Sequence, residues 1–276
     1  MKRLLFLTGA LALFAAGCLA WGFGVEPGRL VLREVAVESP GWEREPLRIG
    51  ILSDIHAGGR GMSAARVRRA VEALNGMAPD IVLLPGDFTV GSAPMEARSP
   101  EAVADIRAGH AELRRLSASL GVFAVLGNHD HQFGEVQTRA NLARDGGIRF
   151  LDDKVKLVTE GLCVFGLGDA YFGSPDLSTP ERCEIGTARI GLSHNPDTLL
   201  ALPGRHAFLT AGHTHGGQVN IWGVGRRVTS TRAGKSYAWG RVNFNGTPGF
   251  VTAGVGMSIL SARFRVPPEV VVVTLR

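Results

Sequence analysis

The rhythm of hydrophobic and polar positions changes three times along the chain. After Lys2 and Arg3, Leu4 to Phe23 runs without a formal charge, long enough as a helix to span a hydrocarbon core of about 30 Å. The stretch "RLVLREVAVE" then alternates with the period of two of a half-buried strand and stops at Pro40-Gly41. From Pro46 onward, short apolar runs trade places with amphipathic ones. "LRIGILS", "DIVLLPGD" and "GVFAVLGNHD" read as strands; "MSAARVRRAVEALNGM", with Val67, Val71 and Leu74 on one face, "PEAVADIRAGHAELRRLSASL" and "EVQTRANLARDGG" read as the helices between them. Past Arg149 strand signals dominate: "KLVTE", "LCVFGLG", "ARIGLS", "HAFLTAG", "QVNIW", "GFVTAG" and "EVVVVTL". Strands that alternate with helices of this length imply parallel pairing and an α/β layered fold. The expected organisation is an N-terminal membrane anchor or signal segment at 1–24, a lead-in strand within 25–45, and one domain from 46 to 276.

The first segment admits three readings. An uncleaved single-pass anchor is favoured over a cleaved signal peptide and over a lipoprotein signal in which "AAGC" ends at Cys18. Lys2 and Arg3 precede the apolar run, so the positive-inside tendency puts the N-terminus in the cytoplasm and the domain on the periplasmic or extracytoplasmic side of the inner membrane. Cys163 and Cys183 are the one possible pair within the domain, and Cys163 reads as a buried small hydrophobe in preference to a disulfide partner. The 276 residues carry a net charge of +5, but the 30 basic and 25 acidic residues are interspersed, without the long basic run or basic-aromatic stripe that nucleic-acid binding would favour. No protein partner is evident.

Candidate chemistry sits at one recurring address. Asp54 and His56 follow "IGIL", Asp87 follows "IVLLPG", Asn128 and His129 follow "FAVLG", His194 follows "RIGLS", and His213 and His215 follow "FLTAG". Each lies past the C-terminal end of a strand, where open α/β sheets form ligand sites. Alone, each has a dull explanation as a turn residue or helix cap. Turn chemistry does not, however, place five of the chain's eight histidines in such loops. His110, His131 and His206 lie off this pattern and read as structural. Carboxylate, imidazole and amide donors without cysteine suit Mn²⁺ first, with Fe²⁺ or Zn²⁺ as alternatives, and exclude a thiolate site. Seven such ligands are too many for one catalytic ion and suit two divalent ions sharing a carboxylate. In "GHTHGGQ", an extended backbone would turn His213 and His215 to the same side, with Gly212, Gly216 and Gly217 allowing close approach.

"DIH" at 54–56, "GD" at 86–87, "GNHD" at 127–130, "SHNPD" at 193–197 and "GHTH" at 212–215 together resemble the five ordered motifs of the calcineurin-like metallophosphoesterase superfamily. The resemblance implies a four-layer α-β-β-α sandwich preceded by one hydrophobic helix, with a dinuclear site on loops at one edge. It implies that Asp54, His56 and His215 hold one metal and Asn128, His194 and His213 the other, with Asp87 bridging. It also implies that His129 is the general acid and Asp130 the carboxylate orienting it. The activity implied is hydrolysis of a phosphodiester or pyrophosphate by metal-activated hydroxide, on a substrate that is lipid- or nucleotide-linked. The "GGQ" extension and the anchor resemble a branch that includes UDP-2,3-diacylglucosamine hydrolases of lipid A synthesis. The alternatives are a broad phosphodiesterase or nuclease of the same fold and a non-catalytic membrane-tethered scaffold.

Overall fold

The computed structural model describes residues 2–221, 225–226 and 229–276. Its helices are α1 (Lys2–Ala20), α2 (Ala64–Gly76), α3 (Pro100–Leu113), α4 (Asn128–Phe133), α5 (Glu135–Leu142) and α6 (Pro196–Leu200). Strands β1 (Val31–Val37), β2 (Leu47–Ile51), β3 (Ile81–Leu84), β4 (Val122–Ala124) and β5 (Ile148–Phe150) come first in the chain. They are followed by β6 (Lys154–Thr159), β7 (Leu162–Gly166), β8 (Ala188–Ser193) and β9 (Phe208–Ala211). The chain closes with β10 (Asn220–Ile221), β11 (Gly225–Arg226), β12 (Gly240–Phe244), β13 (Thr247–Val251) and β14 (Glu269–Leu275).

Two six-stranded sheets, ordered β1-β14-β2-β3-β4-β5 and β12-β13-β9-β8-β7-β6, pack face to face. The period-two alternation of each strand decides which layer a side chain joins. In β14, Val271 and Val273 face the second sheet while Val270 and Val272 face the helices; in β3, Ile81 and Leu83 divide from Val82 and Leu84 in the same way. Helix α2 buries Val67, Ala70, Val71 and Leu74, an i, i+3, i+4, i+7 stripe, and packs on the outer face of the first sheet beside α3. Helix α3 starts sharply because Ser99 Oγ accepts the amide of Ala102 and Pro100 occupies the first turn. On the outer face of the second sheet, Leu199 of α6 and Leu202 cover Phe165, Leu209, Ala211 and Val251. The result is the α-β-β-α sandwich, with a thin fourth layer.

Several details depart from the sequence reading. Residues 25–45 do more than lead in, because β1 pairs in parallel with β14, Val31 opposite Glu269 through Val37 opposite Leu275, and forms the edge of the first sheet. "QVNIW" contributes only Asn220–Ile221 to a small ribbon, and Trp222 lies outside the described residues. Strand β12, which the apolar pattern passes over, is joined to β13 through Asn245-Gly246, both at positive φ, as a tight two-residue hairpin requires. The expectation for Cys163 is corrected: it is bonded to Cys183 with Cα atoms 6.0 Å apart, because the short turn Thr179–Arg182 returns beside β7.

The apolar stretch Leu5–Gly28 is long and apolar enough to cross a membrane, and only 6% of its most apolar window is buried, so it is no core helix.

The disulfide closes a loop of 20 residues. Its removal in a Cys163→Ala, Cys183→Ala double variant is expected to lower unfolding stability by about 3 kcal/mol in urea titrations. An unchanged midpoint would show that packing alone holds the Thr179–Arg182 turn.

Candidate functional site

The two sheets deliver their polar residues to one rim. Asp54 and His56 leave β2, Asp87 leaves β3, and Asn128 and His129 open α4 after β4, all from the first sheet. His194 leaves β8, and His213 and His215 leave β9, from the second. Backbone bonds lace these loops together. Asp54 N donates to Gly86 O at 3.0 Å, His56 N to Asp87 O at 3.0 Å, and Gly212 N to His194 O at 3.0 Å.

Five site residues adopt the left-handed region that side chains other than glycine avoid: Asp54 at φ 52°, His56 at 49°, Asp87 at 55°, His213 at 68° and His215 at 50°. Each such conformation costs of order 1–3 kcal/mol and persists only where the surroundings enforce it. The expectation that His213 and His215 share an extended segment is therefore corrected. Thr214 between them is helical, and the chain curls into a short turn at His215–Gly217 because Thr214 Oγ1 accepts Gly216 N while donating to Ala238 O at 2.6 Å. His213 nonetheless lies with Asp87 and His194, whereas His215 lies with Asp54 and His56.

Those two groups, and a third of His56, Asp87 and His129, each bring ligating atoms within 4.8 Å of one another. Asp87 is the link: its Oδ2 lies 3.6 Å from His56 Nε2 and 3.3 Å from His194 Nε2. Asn128 Oδ1 lies 3.2 Å from His194 Nε2, and His213 Nδ1 lies 3.0 Å from that same nitrogen. His215 Nε2 is 3.5 Å from Asp54 Oδ1 and 3.1 Å from His56 Nε2. So many potential ligand atoms facing one another make a pocket that a cation would fit. The donor set of carboxylate, imidazole and amide oxygen, gathered with these atoms facing one another, fits divalent ions. Second contacts orient the rings. His194 Nδ1–H donates to the Pro85 carbonyl at 2.7 Å, which leaves Nε2 free to ligate.

The electrostatics favour the same reading. Burial pushes the Asp54 carboxyl up to about 7. Burial would raise Asp87 too, but the charge and hydrogen bond of His194 and the charges of His56 and His129 hold it well below the ordinary carboxylate range. Burial lowers His56 to about 4 and, with His194 beside it, His213 to about 3, so both rings are neutral lone-pair donors at neutral pH. His194 is opposed by burial yet driven up to about 10 by Asp87, then Asp54 and Asp169. A cation in place of its proton would satisfy the same carboxylates.

His129 and Asp130 are placed less simply. The His129 amide donates to Asp87 Oδ1 at 2.9 Å, and its Nδ1–H faces the Gly91 carbonyl at 3.1 Å, leaving Nε2 toward the pocket. The expected pairing with Asp130 is corrected, because that carboxylate accepts the amides of Phe88, Thr89 and Gly127 at 2.9, 3.0 and 3.0 Å. Gly91, not Asp130, orients the ring. His110, His131 and His206 sit apart, bonded to Thr89, Glu135 and the Pro203 carbonyl respectively.

Sequence reasoning missed Asp169, which is buried at the end of β7 beside His194, with one oxygen lacking a partner. Its "GLGD" repeats the form of "LPGD" at Asp87 and could have marked it. Gln218 was also missed as a structural hub: its amide accepts Ser258 N at 2.7 Å and donates to Leu260 O at 2.9 Å.

A family model described as calcineurin-like phosphoesterase matches residues 47–217, more than half of the chain. The chain is 28% identical to the Bacillus subtilis metallophosphoesterase YkuE over 100% of this chain and 98% of that protein. It is 27% identical to the Escherichia coli phosphodiesterase YaeI, covering 83% of this chain and 82% of that one. A Danio rerio protein described as a transmembrane protein with metallophosphoesterase domain is 25% identical, over 78% of this chain and 49% of its own length.

Two glycines set the approach of the loops. A Cβ at Gly127 would collide with Asp87 Oδ1 and its amide, and one at Gly212 with Ser53 Oγ and Asp54 Oδ2. Gly127→Ala and Gly212→Ala are each expected to lower bound Mn²⁺, measured by atomic emission, while Gly76→Ala, with nothing within 4 Å of its added carbon, leaves it unchanged. Full metal content in both site variants would contradict this geometry.

Proposed function

The chain belongs to the calcineurin-like phosphoesterase family and is a metal-dependent phosphoester hydrolase, and we propose that it cleaves a phosphodiester or pyrophosphate at a two-metal centre on the rim of the sandwich. Asp54, His56 and His215 would hold one ion, Asn128, His194 and His213 the other, and Asp87 would bridge them, with Mn²⁺ the first choice. The observation that carries this reading is the position of Asp87, whose Oδ2 faces one imidazole from each set at 3.6 and 3.3 Å. When bound, the ions supply Lewis acidity to the phosphoryl oxygens and activate water for in-line attack.

The chain's own groups perform the rest. His129 Nε2, 3.5 Å from Ser258 Oγ on the pocket wall, would donate a proton to the leaving oxygen, and the Gly91 carbonyl keeps the ring in that orientation. Asp130 holds the amides of Phe88, Thr89 and Gly127, which keeps the His129 turn against Asp87. The adjoining cavity, about 790 Å³, is lined by Tyr171, Phe172, Ile221, Ile259 and Leu260, and no Lys or Arg among the described residues lines it. That lining weighs against a nuclease, which needs cationic contacts to the phosphate backbone.

In this reading α1 is a single-pass anchor of the cytoplasmic membrane, with the hydrolase on the extracytoplasmic side. Lys2 and Arg3 before the apolar run, the Cys163–Cys183 disulfide and the description of the Danio rerio relative support it. The disulfide also weighs against a substrate confined to a reducing compartment.

Two substitutions separate ligand from acid. Asp87→Asn is expected to abolish hydrolysis of bis(4-nitrophenyl) phosphate and reduce bound metal toward one ion or none. His129→Ala should keep metal content near two while turnover falls by about 10²–10⁴, the usual contribution of a general acid. Two equivalents of metal with near-normal turnover in Asp87→Asn would remove the bridge, and metal loss in His129→Ala would make that residue a ligand.

A further inference from the structure

The end of the apolar helix is locked to the wall of the pocket. At about 1.5 Å per residue, the uncharged run from Leu4 reaches the far side of a hydrocarbon core of about 30 Å near Phe23. At that boundary the Gly22 carbonyl accepts the amide of Arg263 at 2.9 Å, and Glu26 Oε1, buried, accepts the amide of Val266 at 2.6 Å. Trp21 Nε1 donates to the other oxygen of Glu26 at 2.7 Å, with the Arg29 guanidinium over its ring. An indole there is the ordinary anchor of a helix at the membrane surface.

The segment it grips also forms the pocket. The fully buried Arg263 side chain donates to the carbonyls of Ala253, Gly254, Gly256 and Val266 and so ties 253–266 into one unit. Gly254 and Gly256 at its start pack on Asp54, and Ser258, Ile259 and Leu260 line the cavity with Asp87 and His129. Ile259 is 100% exposed at φ 59°, a conformation that a β-branched residue rarely adopts. Gln218 clamps the loop on either side of it, through Ser258 N, Leu260 O and Ala262 O. An isoleucine forced outward by a buried clamp is unlike a loop tip left loose in water. Leu260 at 44%, Ile221 at 46% and Phe172 at 49% exposure extend the same apolar rim.

Ile259 lies four positions before Arg263, at most about 14 Å of chain. The headgroup layer beyond the hydrocarbon core is roughly 5–8 Å deep. A tip tethered within that reach of the boundary, apolar and exposed, is placed where it could touch the headgroup layer.

We propose that the Ile259–Leu260 tip, with Ile221 and Phe172, is a docking surface for the lipid bilayer, so that the pocket opens on the membrane and takes the phosphoester headgroup of an acyl-bearing lipid. The proposal rests on the anchored-hydrolase reading above and adds a substrate class to it. The rim seats the first methylenes of the acyl chain, while the headgroup phosphate reaches the Asp87 centre.

The test uses the full chain in vesicles of phosphatidylcholine and phosphatidylglycerol. Nitroxide labels are placed at Ile259→Cys and Leu260→Cys in a Cys18→Ala background, with Ile185→Cys, fully exposed on the loop that enters β8 at the end away from the site, as the reference. The expected result is a several-fold higher ratio of oxygen to nickel-chelate collisions at 259 and 260 than at 185. Equal ratios in vesicle-bound protein would overturn the docking surface and leave the anchor standing, as would labels shielded from both reagents, the mark of a second protein copy. Protein that fails to float with the vesicles would reject the anchor and the proposal with it. A monoacyl phosphatidylglycerol should inhibit bis(4-nitrophenyl) phosphate hydrolysis at a concentration at least about tenfold lower than glycerophosphoglycerol, the gain from burying about two methylenes. Ile259→Asp should erase that advantage. Equal inhibition by the two would overturn the lipid substrate class, whereas absence of hydrolysis with Mn²⁺ in the unmodified chain would reject the hydrolase reading itself.

Discussion

Two carboxylates, Asp54 and Asp87, are buried together at the meeting line of two sheets, and the rest of the structure follows from the cost of putting them there. An unpaired charge in a dry interior is expelled or neutralised unless it is paired and hydrogen-bonded. Here the compensation comes from imidazoles on both sheets and from amides, such as His213 N at 3.0 and 3.2 Å from the two oxygens of Asp54. Bringing those groups inward forces five site residues into the left-handed region and demands glycine where a Cβ would strike Asp54 or Asp87. A cation fits the same constraint better than protons do, since it satisfies both carboxylates and leaves His56 and His213 in the neutral form that burial imposes.

Much of this is legible in the chain because the residue types carry it. Asp, His and Asn after five apolar strands announce the rim, and the alternation of strands and helices announces the layers. What local sequence does not carry is anything set by a distant neighbour. The curl at Thr214–Gly217 depends on the Ala238 carbonyl, the orientation of His129 on the Gly91 carbonyl, and the disulfide on the return of Cys183 to β7. Other features were written in the chain and passed over. Asn245-Gly246 is a plain hairpin turn, and Asp169 repeats the strand-Gly-Asp form of Asp87. The lead-in segment misled for a different reason: a strand's partner cannot be read from its own alternation, and that of β1 is at the opposite end of the chain.

The candidate site and the apolar N-terminal helix converge on one short segment. Residues 253–266 touch Asp54 at one end, line the cavity in the middle and hold Gly22 and Glu26 at the other. Arg263, fully buried and bonded to backbone carbonyls, makes that segment stiff, and Gln218 fastens it to the histidine turn. If α1 is the membrane anchor proposed above, its junction with this segment would set which way the pocket faces, where a flexible linker would only raise local concentration.

Anomalous diffraction from Mn²⁺-loaded crystals, recorded on either side of the manganese absorption edge, tests the central claim most directly. The account predicts two peaks about 3.5–4 Å apart with the Asp87 carboxylate between them, one contacting Asp54, His56 and His215 and the other Asn128, His194 and His213. A single peak, or two peaks of which only one touches Asp87, would contradict it.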